Sequence, residues 1–504
     1  MSSSNRWLIL AIISSALFLI VIDMTVLYTA LPRLTHALGA TATEKLWIVN
    51  AYPLVVAGLL PGLGTLGDRL GHKQMFLAGL VVFGLASAQA AFASSPGMLI
   101  LARVVLAVGA AMMMPATLSL IRLTFTDEKE RAFAIGIWAA VASGGAALGP
   151  VIGGSLLEWF WWGSVFLINV PVVVLALISG AMMLERRPGN PDSPWDLAGS
   201  VQVMIGLVGL VYAIKEVARR DPDPLALVLS AGIGALAMAA FVRRQLRSAR
   251  PMIDFALFRN ARFSAGVATA LTASAALIGF ELVFSQRLQL VDGLSPLEAG
   301  LLILPIPLAS FLSGPLTGLA LPRLGASTVL WGSLLLSGLA LAAYLALHQG
   351  PAWTWLAALT VMGFGIGAAM TGASVAIMLS APEERAGMAA SVEEVSYELG
   401  GALGVALLGS LMSAIYTRSL VLPGGISIAG EARDSLDEAL ILAADLPADQ
   451  AGQVIALARA AFERAFTGVT LAAILALVAV GLLVLWKTRG QAGAERGEAI
   501  RPHH

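Results

Sequence analysis

Fourteen stretches of roughly 20 predominantly apolar residues recur along this chain, a length that matches the ~30 Å hydrocarbon thickness of a bilayer. In hydrocarbon every backbone N–H and C=O must be satisfied within its own segment, so each stretch is expected to be a helix. The stretches fall near 7–30, 47–66, 75–94, 97–120, 133–155, 164–184, 197–214, 224–242, 263–286, 299–320, 326–347, 353–379, 387–416 and 465–486. With 58% hydrophobic and only 12% charged residues, the chain carries far more apolar surface than a soluble domain buries. The expected fold class is an all-α polytopic membrane protein. The N-terminal MSSSNRW runs directly into a segment too long for a signal peptide, so it reads as a retained first helix.

Composition excludes several functions. A net charge of zero supplies no basic field for nucleic acid. The absence of cysteine removes disulfides, thiolate metal sites and cysteine nucleophiles. There is no G-x-x-x-x-G-K-[ST] nucleotide loop, and Gly363-x-Gly365-x-Gly367 lies inside an apolar span, not between a strand and a helix. The five histidines have no metal-ligand spacing. No catalytic residue, metal or cofactor is expected, which leaves an ion gradient as the energy source.

An even number of spans puts both ends on one side. If that side is cytoplasmic, inside segments hold 20 of the 31 Lys and Arg and outside loops hold 10, with Arg103 inside a span. The excess of inside positive charge predicts cytoplasmic termini.

A repeated loop divides the chain. Gly64-Thr-Leu-Gly-Asp68-Arg69-Leu-Gly71 closes the second span, and Gly318-Leu-Ala-Leu-Pro322-Arg323-Leu-Gly325 closes the tenth. Such paired loops suggest two parallel six-helix halves. The expected organisation is an N-terminal bundle over 1–188, a linker with spans seven and eight over 189–260, a C-terminal bundle over 261–492 and a tail over 493–504. Residues 417–464 form the one large outside insertion, whose apolar spacing predicts a helical hairpin over the outer mouth. The stretch 243–262 reads as a basic linker at the lipid surface.

Acids at membrane depth are the candidate chemistry, because an ionised carboxylate there costs several kcal/mol unless it is paired, protonated or hydrated. Asp23 lies about 24 Å along the first helix from Trp7, with Thr25 as a nearby partner. In span thirteen Glu394 and Glu398 share a face at i,i+4, while Glu393 points about 100° away and aligns with Tyr397. Two like charges on one desolvated face favour sharing a proton or holding a cation. Glu393 is either solvated at the inside edge or part of this set, and Glu281 near the outer end of span nine is open to the same two readings. Arg103 needs a carboxylate or carbonyl partner. Trp47, Tyr52, Trp138, Phe280 and Tyr397 are mostly packing residues, some placed to make cation–π contacts with an organic cation. In span five, Gly145, Gly149, Pro150, Gly153 and Gly154 read as a gating seam, since small residues permit close helix approach and proline bends a helix.

These motifs together resemble the major facilitator superfamily (MFS) in its 14-helix drug:H⁺ antiporter branch. The match rests on Gly64 to Lys73, on Arg103 with Gly109, on Gly145 to Gly154, and on Asp23-x-Thr25-Val26-x3-Ala30-Leu31-Pro32. Within the branch, Trp162 to Pro171, Gly279-Phe-Glu281-Leu and Ser391 to Gly400 resemble the SmvA-type methyl viologen and quaternary ammonium efflux pumps, relatives of QacA. Gly163 stands where many branch members have arginine, and Pro322 replaces the acid in the second loop copy. The resemblance implies two six-helix bundles plus an inserted two-helix hairpin in a bacterial inner membrane. It further implies that Asp23, Glu394, Glu398, Glu393 and Glu281 bind proton and cation, and that Arg103 relays or balances charge. Gly67, Asp68, Arg69, Gly71 and Lys73 would form a conformational latch.

The expected function is proton-coupled export of lipophilic mono- and dications by a monomer working through alternating access. Its partners would be organic cations, protons and lipid. The alternative is an exporter of a metabolite of another charge class, disfavoured because acid-rich helices repel anions. An enzyme is not expected, since the inside loops are short and basic, and a channel is disfavoured because the acids do not form a ring.

Overall fold

The computed structural model describes residues 3–40, 42–192, 195–217, 222–248, 251, 253–294, 296–422, 431–433, 435–444 and 446–489. Among these, thirteen helices are long and apolar enough to cross a bilayer, and a bent pair within a further helix makes the fourteenth span. They are α1 Ser3–Leu38, α2 Ala42–Leu70, α3 His72–Ala91, α4 Pro96–Thr124, α5 Glu128–Trp159, α6 Asn169–Met183, which completes its span with the short helix Ser164–Leu167 before it, and α7 Leu197–Val217. The chain continues with α8 Pro224–Arg247, α9 Ala261–Gln286, α10 Pro305–Leu324, α11 Ala326–Leu347, α12 Ala352–Ser380, α13 Ala386–Ser419 and α14 Ala448–Thr488.

Polar residues start several spans by accepting the backbone N–H groups that no turn precedes. Ser95 accepts from Met98 at 3.2 Å, Asp127 from Glu130 at 2.9 Å, and Asp223 from Leu225 at 2.9 Å. The two loop copies end on glycines in the left-handed region, Gly71 at φ 101° and Gly325 at φ 79°, where a Cβ would be strained.

The two halves repeat one packing scheme. In the first, α1 packs on α5, α3 on α4 and α2 on α4; in the second, α9 packs on α13, α11 on α12 and α10 on α12. A shift of eight helices converts one set into the other. Across the halves α2 meets α13 and α10 meets α5, a pair of contacts that the same shift interchanges. α7 lies against α2 and α13, while α8 packs on α7 and leaves most of its apolar surface to lipid.

Close approach is possible because small residues line the crossings. Gly136 of α5 faces Gly314 of α10 so tightly that a Cβ on either would strike the other's carbonyl oxygen. Further along, the Ser143 and Ser310 hydroxyls hydrogen bond at 2.9 Å. Beyond Ala146 α5 turns by 44°, within the glycine-rich stretch expected to form a seam. There Gly145 abuts Val21 and Phe18, and Gly149 abuts Thr25, so the stretch seats α5 on α1. The Pro150 side chain lies outside the described residues. Gly154 has nothing within 4 Å of a Cβ position and takes no part in the close contact.

The 417–464 insertion differs from the expected hairpin. One helix runs Leu436–Ala443, but the second amphipathic stretch is no separate arm: it is the first part of α14, continuous over 41 residues from Ala448. At 1.5 Å per residue that is about 60 Å, twice the hydrocarbon thickness, so α14 projects well beyond the bilayer. Apolar residues Val454, Ala458 and Ala461 pack inward with Leu436 and Ala439. Residues 423–430 of the insertion, and the tail from 490 onward, lie outside the described residues.

Candidate functional site

α1 carries Asp23 into the interior of the first half, where it is 2% exposed. Thr25 does not pair with it; the Thr25 hydroxyl turns back to the Val21 and Ile22 carbonyls at 3.1 and 3.2 Å. The partner is Arg103 of α4, whose Nη1 donates to Asp23 Oδ2 while the guanidinium is itself 1% exposed. Asn169, the first residue of α6, donates from Nδ2 to Asp23 Oδ1 and to Ser87 Oγ of α3, both at 3.2 Å. Three helices thus meet at one carboxylate, and α3 joins them through Asn169. A charge pair this dry persists because each ion is the other's solvent, and removing either leaves an uncompensated charge.

Arg103 also makes a contact with α2. Its guanidinium sits 4.5 Å over the ring of Tyr52 of α2, a cation–π contact in a site closed to water. The Tyr52 side chain is fully buried, has no hydrogen-bond partner for its hydroxyl among the described residues, and lies within electrostatic reach of Asp23, Arg103 and Glu398. Tyr52 thus packs on the Asp23–Arg103 pair and lies within electrostatic reach of Glu398 on α13.

On α13, Glu393 is fully buried, Glu394 is 3% exposed and Glu398 is half-buried. The solvated reading of Glu393 falls away: Ser374 Oγ of α12 donates to its Oε1, and Tyr397, the aligned neighbour, donates to the Met370 carbonyl at 3.1 Å. Glu394 lies within electrostatic reach of both other glutamates. Its Oε1, like Glu393 Oε2, is buried with no hydrogen-bond partner among the described residues. A carboxylate oxygen shut in this way demands a proton or a cation.

Other expected site residues lie elsewhere. Glu281 is half-buried on α9, with no hydrogen bond or ion pair to the α13 acids. Phe280 is fully buried in an aromatic cluster with Phe284, Tyr344 and Phe466, a packing position. Trp47 is 43% exposed and stacks on Tyr212 of α7, and Trp138 donates to Thr117 Oγ1 at 3.1 Å inside the first half. Of the five aromatics, Tyr52 and Tyr397 are beside the acids. Asn169, Ser87 and Ser374 were missed as partners; the signal was a polar side chain at membrane depth.

At the face where α1 begins, the two halves are clasped. Asp68 at the end of α2 accepts Gly387 N–H at 2.8 Å and Met388 N–H at 3.2 Å, the unsatisfied donors at the start of α13. His72 Nε2 lies 3.3 Å from Asp68 Oδ1. Arg122 of α4 donates to the Ala381 carbonyl at 2.6 Å, and Gly64 packs against Ser391 and Gly387. Lys73 does not cross between halves: it caps the end of α6 through the Ala181 and Leu184 carbonyls at 2.8 and 2.6 Å. Arg69 takes no part in the clasp and lies exposed beside a separate cleft. Gly67 and Gly71 line a cavity of about 750 Å³ below the clasp, together with Asp68, His72, Lys73 and Glu383.

The Major Facilitator Superfamily profile matches residues 13–405. The chain is 43% identical over 465 residues to the methyl viologen resistance protein SmvA of Salmonella typhimurium, covering 91% of this chain and 93% of that one. It is 39% identical over 485 residues to the multidrug efflux pump LfrA of Mycolicibacterium smegmatis, covering 95% and 96%. The solved human organic anion transporter MFSD10 shares its fold at a TM-score of 0.62 and 14% identity, covering 95% of this chain and 100% of that one. Helix count, repeated packing, profile and relatives agree: the chain is a membrane transporter, not an enzyme, and belongs to the Major Facilitator Superfamily.

Proposed function

We propose that this transporter exports drugs, and specifically that it is a proton-coupled exporter of lipophilic mono- and dications in the bacterial inner membrane. Both termini and the clasped face are then cytoplasmic, as the positive charge of that face suggests. The supporting relatives are pumps whose names record resistance to methyl viologen and to multiple drugs. The observation that carries the charge class is the partnerless Glu394 oxygen beside two further acids on α13.

The mechanism is competition. A cation entering from the cytoplasm neutralises the α13 carboxylates and displaces their protons. Protonation from the acidic outside then removes the negative charge and releases the cation. Asp23 responds through Tyr52, since neutralising it frees Arg103 to repel a cation nearby. In this state the Asp68 clasp holds the cytoplasmic side shut. Quaternary ammonium biocides, chlorhexidine, methyl viologen and ethidium fit the required apolar body and positive charge.

Ethidium uptake into inverted vesicles tests this, with the pH gradient and the membrane potential collapsed separately. Loss of uptake when only the pH gradient is removed supports proton exchange. Undiminished uptake without either gradient would sink it.

A further inference from the structure

A second cleft lies apart from the acids. It encloses about 1010 Å³ at the face where α1 begins, between the end of α2, the start of α7 and the end of α8. Arg69, Arg243, Arg244 and Arg247 line it together with Asp192, Asp196 and Trp195. Asp196 is already committed: Arg244 grips it through Nε and through Nη2, the latter at 3.0 Å. That grip holds the Asp196 carboxyl below its ordinary range, chiefly through the Arg244 hydrogen bond. Trp195 is anchored by its indole N–H to the Gly62 carbonyl at 3.1 Å. Arg69, Arg243 and Arg247 are exposed and, among the described residues, have no carboxylate partner.

The surface above the cleft says what kind of anion it takes. Leu229, Ile233, Leu236 and Ala240 follow one another at three- and four-residue steps along α8, all exposed. The same ridge continues to Arg243 and Arg247. An apolar ridge that ends in two unpaired arginines at the membrane surface matches a molecule with acyl chains and an anionic head. A soluble phosphate would use the arginines and leave the ridge without a role.

We propose that this cleft is a binding site for an anionic phospholipid of the cytoplasmic leaflet. Arg69, Arg243 and Arg247 hold the phosphodiester, and the acyl chains lie along the α8 ridge. Planar guanidinium groups suit a phosphate better than lysines do, because they donate in pairs. Arg69 directly follows Asp68 in the chain, so the occupied cleft steadies the segment that clasps the two halves. The hairpin of α7 and α8 thereby gains a role as a lipid sensor beside the transport bundles.

Native mass spectrometry of the purified full chain tests the site, with phosphatidylglycerol, cardiolipin, phosphatidylcholine and inorganic phosphate as separate probes. The wild type is expected to retain phosphatidylglycerol or cardiolipin over phosphatidylcholine. Arg243→Gln/Arg247→Gln is expected to lose about 30-fold in that retention, since each arginine at the surface is worth about 1 kcal/mol, or about fivefold. Arg418→Gln, on the opposite face, is expected to retain lipid as the wild type does. Equal retention by the double variant, or no preference over phosphatidylcholine in the wild type, overturns the proposal. So does displacement of the lipid by millimolar inorganic phosphate, which identifies a soluble-anion site. If the double variant fails to fold, the wild-type competition and its thermal protection by phosphatidylglycerol relative to phosphatidylcholine decide alone.

Discussion

Asp68 and Gly387 are 319 residues apart in the chain, yet the carboxylate of one accepts the backbone N–H of the other at 2.8 Å. The contact joins the last turn of α2 to the first turn of α13. The negative side chain meets both free donors and the positive end of the α13 dipole. One side chain of the first half thus holds the start of α13 in the second half, at the face where α1 begins.

Replacing Asp68 with asparagine keeps the shape and removes the charge. A hydrogen bond to an ionised acceptor is worth about 1.5–3 kcal/mol, so the clasped state is expected to lose roughly tenfold or more in population. The native chain has no cysteine, so Ser391→Cys, packed under Gly64, gives a clean reporter. Maleimide labelling from the cytoplasmic side should accelerate about tenfold in Asp68→Asn; an unchanged rate would show the clasp to be passive.

Asp23→Asn is expected to abolish ethidium and chlorhexidine resistance and to destabilise the fold by about 3–5 kcal/mol, because Arg103 is left buried and charged. Asp23→Asn/Arg103→Gln should recover most of that stability and none of the export. Thermal unfolding of the two variants beside whole-cell efflux separates the roles. Equal instability of single and double variants would refute the pairing argument, and normal export by the single variant would remove Asp23 from the mechanism.

Glu394→Gln is expected to fold normally, since the neutral amide has the same shape and ends the crowding of like charges. Resistance to dications should fall by tenfold or more, with a smaller effect on monocations, because a dication needs two carboxylates. Proton release on adding benzalkonium to purified protein should also drop. Unaltered dication resistance would place the cation elsewhere.

Gly136→Val puts branched bulk against the Gly314 backbone at the α5–α10 crossing. The clasped state cannot tolerate it, so the variant is expected to stay open to the cytoplasm and to bind but not export ethidium. The Ser391→Cys reporter reads this directly. Export at wild-type rate would mean that the crossing need not close.

The sequence located the acids well and their partners poorly. Depth along a span follows from counting residues, so Asp23, Glu394 and Glu398 were recognisable at once. Their neighbours were not: the contact between Arg103 and Asp23 spans 80 positions, and that between Asn169 and Asp23 spans 146. The sequence leaves Phe280 open between packing and substrate contact, because an aromatic side chain in a span looks the same whether it faces a cavity or three other rings. The first part of α14 reads in the sequence as separate from its membrane part because polarity changes there while the helix does not.

Segment length and hydrophobicity are local properties matched to a slab of hydrocarbon, so the chain alone determined fourteen crossings, the duplicated halves and the depth of each acid. Which carboxylate is paired, which is partnerless, and which face is shut depend on how helices distant in sequence pack together. Only the tertiary structure decided that Glu393 is held dry by Ser374, that Glu394 keeps an oxygen without a partner among the described residues, and that Tyr52 packs on Arg103. The physical reason is that hydrocarbon selects helices one at a time, whereas a buried charge selects its partner from whatever the assembled bundle brings within reach.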